Sequence, residues 1–183
     1  MTAAQQKQEM TKTMTPNELR DSYFNHMRSK GAVVVPSASL LPENDPTTLF
    51  TGSGMQPMIP YLLGEKHPSG NDIVDSQKCV RTGDIEEVGD NSHLTFFEMI
   101  GRWCLKGDPA TYKRDQIQWM WEWQIDVLGL DPQNLYVSVF EGDDALGISR
   151  DDEAIAIWTE LFNSVGIDPK VEDDPWTYGC SRG

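Results

Sequence analysis

Arg81, His93 and Phe97 are the residues of this sequence whose types and spacing together could do chemistry, and all three fall in the stretch QKCVRTGDIEEVGDNSHLTFFEMIGRW, Gln77 to Trp103. QKCVR alternates, so Gln77, Cys79 and Arg81 share one face while Lys78 and Val80 take the other. HLTFFEMI alternates too, with His93, Thr95, Phe97 and Met99 on one face and Leu94, Phe96, Glu98 and Ile100 opposite. If the two runs pair as an antiparallel hairpin, one face presents Arg81, His93 and Phe97 together. That set suits a nucleotide: Arg holds phosphate as a planar fork, His adds a donor, and the ring stacks a base. Each residue also has a plainer use. Arg81 could pair with Glu98 or the loop acids, His93 could cap or brace a turn, and Phe96 and Phe97 could be core. Asp84, Glu86, Glu87 and Asp90 form an acidic loop that is ordinarily solvated. It could also help hold Mg²⁺ at a triphosphate, where one or two carboxylates suffice.

Positioning these groups falls to the surrounding elements. Residues 1–14 are polar and without period, and read as a disordered leader. Thr15-Pro16-Asn17-Glu18 is a helix start, with Thr as N-cap, Pro at the first helical position and Glu three residues after the cap. Leu19, Tyr23 and Met27 then share a face, and Lys30-Gly31 ends the helix. Val33–Val35 is a brief buried strand stopped by Pro36. Residues 37–48 are loop, with Pro42, Asn44-Asp45 and Pro46 as turn residues. Gly52-Ser53-Gly54 reads as a flexible turn; it is too short for a phosphate-binding loop and has no following Lys-Ser/Thr. A short helix follows Pro57, and residues 65–71 are a surface loop.

Beyond the hairpin, Arg114–Leu128 reads as a helix with Ile117, Met120, Trp121, Ile125 and Leu128 as its buried stripe and Gly129 just past its end. Trp119 and Trp123 lie off that stripe, where they either pack under a neighbouring element or mark an interface. Leu135–Phe140 (LYVSVF) alternates as a strand. Asp151 or Asp152 caps a helix carrying Ile155, Trp158, Leu161, Phe162 and Val165, closed by Gly166. Helices and hairpin-like strands mix without regular βαβ alternation and without a dinucleotide fingerprint, which gives an α+β class built on an antiparallel sheet.

The 183 residues carry 29 acidic and 15 basic side chains, a formal charge of −14. That repels polyanions at long range, so any RNA affinity must come mostly from elsewhere. Three widely spaced cysteines, Cys79, Cys104 and Cys180, make no C-x-x-C pair. They point away from a disulfide framework or structural zinc and toward a reducing cytoplasm. The polar start lacks a secretory apolar core, and no apolar run is long enough for a membrane span. Among the three histidines, His26, His67 and His93, none sits in a G-x-S-x-G or H-E-x-x-H context. Hydrolase and zinc-protease readings are set aside on that ground.

Several long motifs, in order, resemble the class II aminoacyl-tRNA synthetases, and specifically the amino-terminal part of the alanine-specific family. VPSASLLPENDPTTLFTGSGMQP is similar to the stretch containing that family's motif 1. QKCVR, DIEEVG and HLTFFEMIG together resemble motif 2, LYVSVFEGDD the next strand, and DDPWTYG a later Trp-containing segment. The resemblance implies a class II antiparallel sheet flanked by helices, incomplete at the C-terminus. Residues 15–183 would then be a partial catalytic domain that stops before motif 3.

The resemblance also implies roles. Arg81 would contact the ATP α-phosphate and the amino-acid carboxylate, His93 the outer phosphates, and Phe97 and Trp176 the nucleotide, with Phe97 stacked on adenine. Met99 and Trp176, with Arg81, would shape a small alanine pocket. Attack of the alanine carboxylate on ATP, with Mg²⁺, would give alanyl-adenylate for transfer to tRNA(Ala). Motif 1 borders the dimer interface in many class II enzymes, so a homodimer or a missing C-terminal region is the expected partner. Departures from the pattern are Leu94 in place of a second His, Gly52 in place of Asn, a shorter motif 2 loop, and 106–112 in place of G-D-Y-F. They leave a second function class open: an incomplete synthetase-like module that binds nucleotide or a partner without catalysis.

Overall fold

A computed structural model describes residues 13–42, 47–83 and 85–171. The leader, the Asn44-Asp45-Pro46 turn, Asp84, Trp176 with its DDPWTYG segment, and Cys180 lie outside the described residues. The chain divides into two compact units, residues 14–108 and the chain from Pro109 onward.

In the first unit, helix α1 spans Pro16–Ser29 behind a complete capping box. The Thr15 side chain accepts from the Glu18 N–H at 3.3 Å, and the Thr15 N–H donates to Glu18 Oε2 at 2.8 Å. Two of the helix's orphan donors are thereby satisfied reciprocally. Tyr23 and Met27 are buried as the spacing requires, while Leu19 is only half-buried. Gly31 follows the cap residue Lys30 with φ +99°, a conformation that favours glycine.

The sheet has three strands, β1 (Val33–Val34), β2 (Asp72–Val80) and β3 (Phe96–Cys104), in that spatial order. β2 and β3 form the expected antiparallel hairpin, with Cys79 opposite Phe97 and Gln77 opposite Met99. β1 pairs with β2 in parallel, so the sheet is mixed rather than purely antiparallel. The long chain between β1 and β2 makes that possible, because a parallel neighbour needs a crossover instead of a tight turn. Val33 is exposed and only Val35 is fully buried, so the brief strand lies half in the core.

Past β1, the loop that follows takes over the edge of β2. Lys78 N–H donates to Ser37 Oγ at 3.1 Å, and Val80 N–H donates to the Thr51 carbonyl at 3.0 Å. Thr51 is itself buried, its hydroxyl donating to the Ser39 carbonyl. Ser37 and Thr51 thus take up edge N–H groups of β2 that would otherwise be unpaired. After Gly54 come a short 3₁₀ turn (Gln56–Met58) and helix α2 (Ile59–Leu62). Met58 packs with Val35 and Ile73 in the core.

In the second unit, α3 (Tyr112–Glu122) runs into a wider turn at Trp123–Val127, where Leu128 N–H reaches the Trp123 carbonyl. Of the expected stripe only Trp121 is fully buried, against Trp158 and Phe162. Those two come from α4 (Asp152–Ser164), where Asp151 is the N-cap and accepts from the Ala154 N–H. Trp119 and Trp123 are half-buried and both have partners. The buried face of α4 runs through Ala154, Ile157 and Phe162, whereas Val165 is exposed.

The expected strand Leu135–Phe140 forms no ladder among the described residues, and Tyr136, Val137 and Phe140 are exposed. Alternation specifies two faces of an extended chain. A strand also requires a neighbouring strand in register, and among the described residues none pairs with this stretch.

Thr15→Ala should cost about 1 kcal/mol, the usual value of an N-cap. Met27→Ala, at 0% exposure, should cost roughly 2–5 kcal/mol. Urea unfolding followed by circular dichroism should return them in that order.

Candidate nucleotide site on the hairpin face

The odd-numbered residues of the hairpin face one way. On this front face Arg81 and Phe97 meet, with the guanidinium carbon 5.1 Å from the ring centroid, close enough for a cation–π contact. Arg81 sits one residue past β2, and its N–H still donates to the Thr95 carbonyl at 2.9 Å, extending the ladder. Its Nε donates to the Gly52 carbonyl at 2.9 Å. One edge of the fork is therefore anchored by backbone and one face lies against an aromatic ring. The terminal nitrogens have no partner among the described residues.

No carboxylate of the described residues pairs with Arg81. Glu98, the plainer partner considered for Arg81, faces the other way, as the alternation of the hairpin requires. It takes Arg20 at 2.5 Å and 3.1 Å and the Ser76 hydroxyl at 2.7 Å. The Arg20 hydrogen bonds, with that of Ser76, hold the Glu98 carboxyl below its ordinary range. Arg102 is likewise committed on the reverse face, doubly bonded to Asp72 at 2.8 Å and 2.6 Å.

The Gly52-Ser53-Gly54 turn is part of the site's wall. Gly52 supplies the carbonyl to Arg81, and its N–H donates to Gln56 Oε1 at 2.9 Å. Gly54 N–H donates to the Met99 sulfur at 3.2 Å. Beneath the turn, buried Gln77 exchanges hydrogen bonds with Ala38, accepting at 2.8 Å and donating at 3.2 Å. This fixes the incoming loop to the middle of β2. Lys78 is exposed on the other face, as the alternation requires, and Cys79 is buried.

His93 precedes β3 and belongs to the acidic loop. Its Nδ1 lies 2.6 Å from Asp90 Oδ2 and its Nε2 lies 3.0 Å from Glu87 Oε2. Asp90 Oδ1 also accepts the backbone N–H groups of Ser92 and His93, at 2.8 Å and 2.7 Å. The structure thus brings Arg81, Phe97 and Met99 to one wall and places His93 against Asp90 and Glu87. Trp176 lies outside the described residues. No group of three or more His, Cys, Asp or Glu side chains among the described residues could hold a metal.

The sequence reading missed Asp75, Gly101 and Trp103, which extend the front face away from Arg81. It started β2 at Gln77, although Ile73 and Val74 already signal a strand and Asp75 continues the 75–77–79–81 alternation.

Asp90 is lowered to about 2, first by the His93 N–H, then by the Ser92 N–H and the His93 ring. A carboxyl lowered in the fold stabilises above its ordinary 3.8 and loses that contribution as pH falls through its folded value, about 2. The Asp90 carboxyl carbon should therefore titrate near 2 by NMR, with the His93 amide losing exchange protection in the same window. A midpoint near 4 would rule the capped loop out.

The family described as tRNA synthetases class II (A) matches residues 18–179. Similar curated proteins include the alanine–tRNA ligase of Treponema denticola, 49% identical over 83% of this chain and 25% of that protein. That of Borreliella burgdorferi is 51% identical over 81% of this chain and 24% of its own length. That of Bacteroides thetaiotaomicron is 43% identical over 91% and 19%. The chain spans about a quarter of the length of the first two relatives and less of the third. With the family matched over nearly the whole of the sequence, and the mixed α+β hairpin architecture in keeping with it, this chain belongs to the class II tRNA synthetases.

Proposed function

We propose that this chain forms the α-phosphate and adenine side of the adenylate site of an alanine–tRNA ligase, and that residues 15–183 are the leading part of its catalytic domain. The carrying observation is Arg81, anchored on the Gly52 carbonyl, laid against Phe97, and with its terminal nitrogens unpartnered among the described residues. A fork in that state suits two oxygens at once, those of the ATP α-phosphate or of an amino-acid carboxylate. The names of the relatives supply the amino acid and the tRNA.

In the proposed reaction, a carboxylate oxygen of alanine attacks the α-phosphorus of ATP. The bond to the bridging oxygen breaks, pyrophosphate leaves with the electron pair, and alanyl-adenylate remains. A terminal tRNA hydroxyl then attacks the acyl carbon, AMP departs, and the hydroxyl proton passes to solvent. No covalent enzyme intermediate is required. Arg81 holds substrate and phosphate in line and offsets charge gathering on the equatorial oxygens. Phe97 offers its ring to the adenine, and Met99 beside Gly54 bounds a small side-chain pocket. Phosphate oxygens would draw the His93 ring from Asp90 and Glu87. Mg²⁺ accompanies the triphosphate and neutralises part of its charge. The proposed place of reaction is the cytoplasm. Among the described residues no helix is long and apolar enough to cross a membrane. A homodimer through the motif 1 region is the assembly the family suggests.

MgATP should raise the thermal midpoint of the chain. Arg81→Ala should weaken ATP at least about tenfold, the usual worth of a charged hydrogen-bond pair, while the unliganded midpoint stays put because the side chain is exposed. An unchanged ATP response in that variant would sink the assignment of Arg81. Alanine-dependent ATP–pyrophosphate exchange, read beside it, separates a ligase from a module that only binds nucleotide.

A further inference from the structure

Next to Met99 on the front face, the alternation reaches Gly101 and then Trp103. Gly101 pairs across the hairpin with Asp75. A Cβ at Gly101 would stand 3.3 Å from Trp103 Cζ2 and 3.4 Å from its Cε2. The indole therefore lies back along its own strand, over the space that a side chain at 101 would fill. In that pose its benzo edge reaches the Gly52–Gly54 turn. A Cβ at Gly54 would lie 3.4 Å from Trp103 Cζ2 and 3.4 Å from Met99 Cβ. At the other end, the indole Nε1–H donates to Asp75 Oδ1 at 2.9 Å.

Asp75 is 0% exposed, and its Oδ2 has no hydrogen-bond partner among the described residues. Burial pushes its carboxyl above the ordinary range. Keeping an acid dry with half its acceptors unused is costly. The return is one directed bond to an indole that would otherwise be oriented by contact alone. Two glycines make room for that indole, and the far end of the resulting stack is Met99.

We propose that Asp75 is a positioning residue for amino-acid selection: through Trp103 Nε1 it fixes the indole over Gly101, and the indole with Gly54 fixes Met99, which limits the side chain that the pocket accepts. The proposal rests on the reading above that Met99 borders the amino-acid pocket. A pocket bounded by a held methionine rejects a side chain one carbon too long, whereas a loosened methionine gives way to it.

The test compares binding of two stable adenylate mimics, alanyl- and 2-aminobutyryl-sulfamoyl adenosine, by calorimetry. The wild-type chain should prefer the alanyl compound by about tenfold or more, the range expected for one methylene. Asp75→Leu and Trp103→Phe should each cut that preference at least threefold and leave ATP affinity within twofold. Asp75→Asn, which keeps the acceptor, should retain it. A wild-type preference in both Asp75→Leu and Trp103→Phe would overturn the proposal.

The positional half is read separately, from the Met99 methyl resonance. It should move in Trp103→Phe and in Asp75→Leu and hold in Asp75→Asn. An unmoved methyl in Trp103→Phe, a variant that keeps a six-membered aromatic ring and loses the pyrrole ring with its N–H donor, overturns the coupling whether or not Asp75→Leu folds. A wild-type chain that binds neither mimic nor ATP overturns the ligase reading and the selection claim with it. A chain that binds both mimics alike overturns the selection claim only.

Discussion

The pairing of Cys79 with Phe97 sets the rest of the first unit. Side chains alternate along a strand, so register decides which residues meet. In this register Arg81 reaches Phe97, Met99 lies opposite Gln77, and Trp103 leans toward Asp75. A slip of β2 by one residue would send Arg81 to the reverse face, where Arg20 and Arg102 already sit, and would carry Lys78 to the front. The polar pairs of the reverse face oppose such a slip. Arg20 with Glu98, Ser76 with Glu98, and Arg102 with Asp72 are each satisfied only in the observed register.

The two faces are consequently used in different ways. The reverse face consumes its charges internally and docks α1 through Arg20. On the front side, Ala38, Thr51 and Gly52 are pinned to Gln77, Val80 and Arg81. Two glycines of this stretch present backbone to the face: the Gly52 carbonyl takes Arg81 and the Gly54 N–H takes the Met99 sulfur. Gly54 shows how close the packing is: a methyl group there would touch Met99 and Trp103 together, each at 3.4 Å.

Local rules read well from the sequence where the cause is local. The capping box at Thr15, the Asp151 cap and the alternation of Gln77–Arg81 each depend on a few adjacent residues, and each is found in place. What depends on a distant partner was less legible. Nothing in HLTFFEMI says that His93 will face Asp90 and Glu87, because that follows from the turn the loop takes. The alternation of LYVSVF fixes faces without supplying a neighbour. Trp103 folds back over residue 101, where a Cβ would crowd it, a relation between i and i+2 that periodicity counts as an interruption. The parallel partner of β2 lies some forty residues away in the chain and leaves no periodic trace.

Charge gives the site its last constraint. Acids outnumber bases by 29 to 15, so carboxylates are plentiful partners for cations. Arg20, Arg102, Arg114 and Arg150 each pair with one. Arg81 does not among the described residues, although an acidic loop begins a few positions later. Gly52 holds its Nε and Phe97 occupies one side of its plane, and neither supplies negative charge. Backbone and ring fix direction without neutralising the group, which leaves its charge available to an anion arriving from solution. An arginine kept oriented but unneutralised, in a protein rich in acids, is the electrostatic arrangement that binding of phosphate and carboxylate requires.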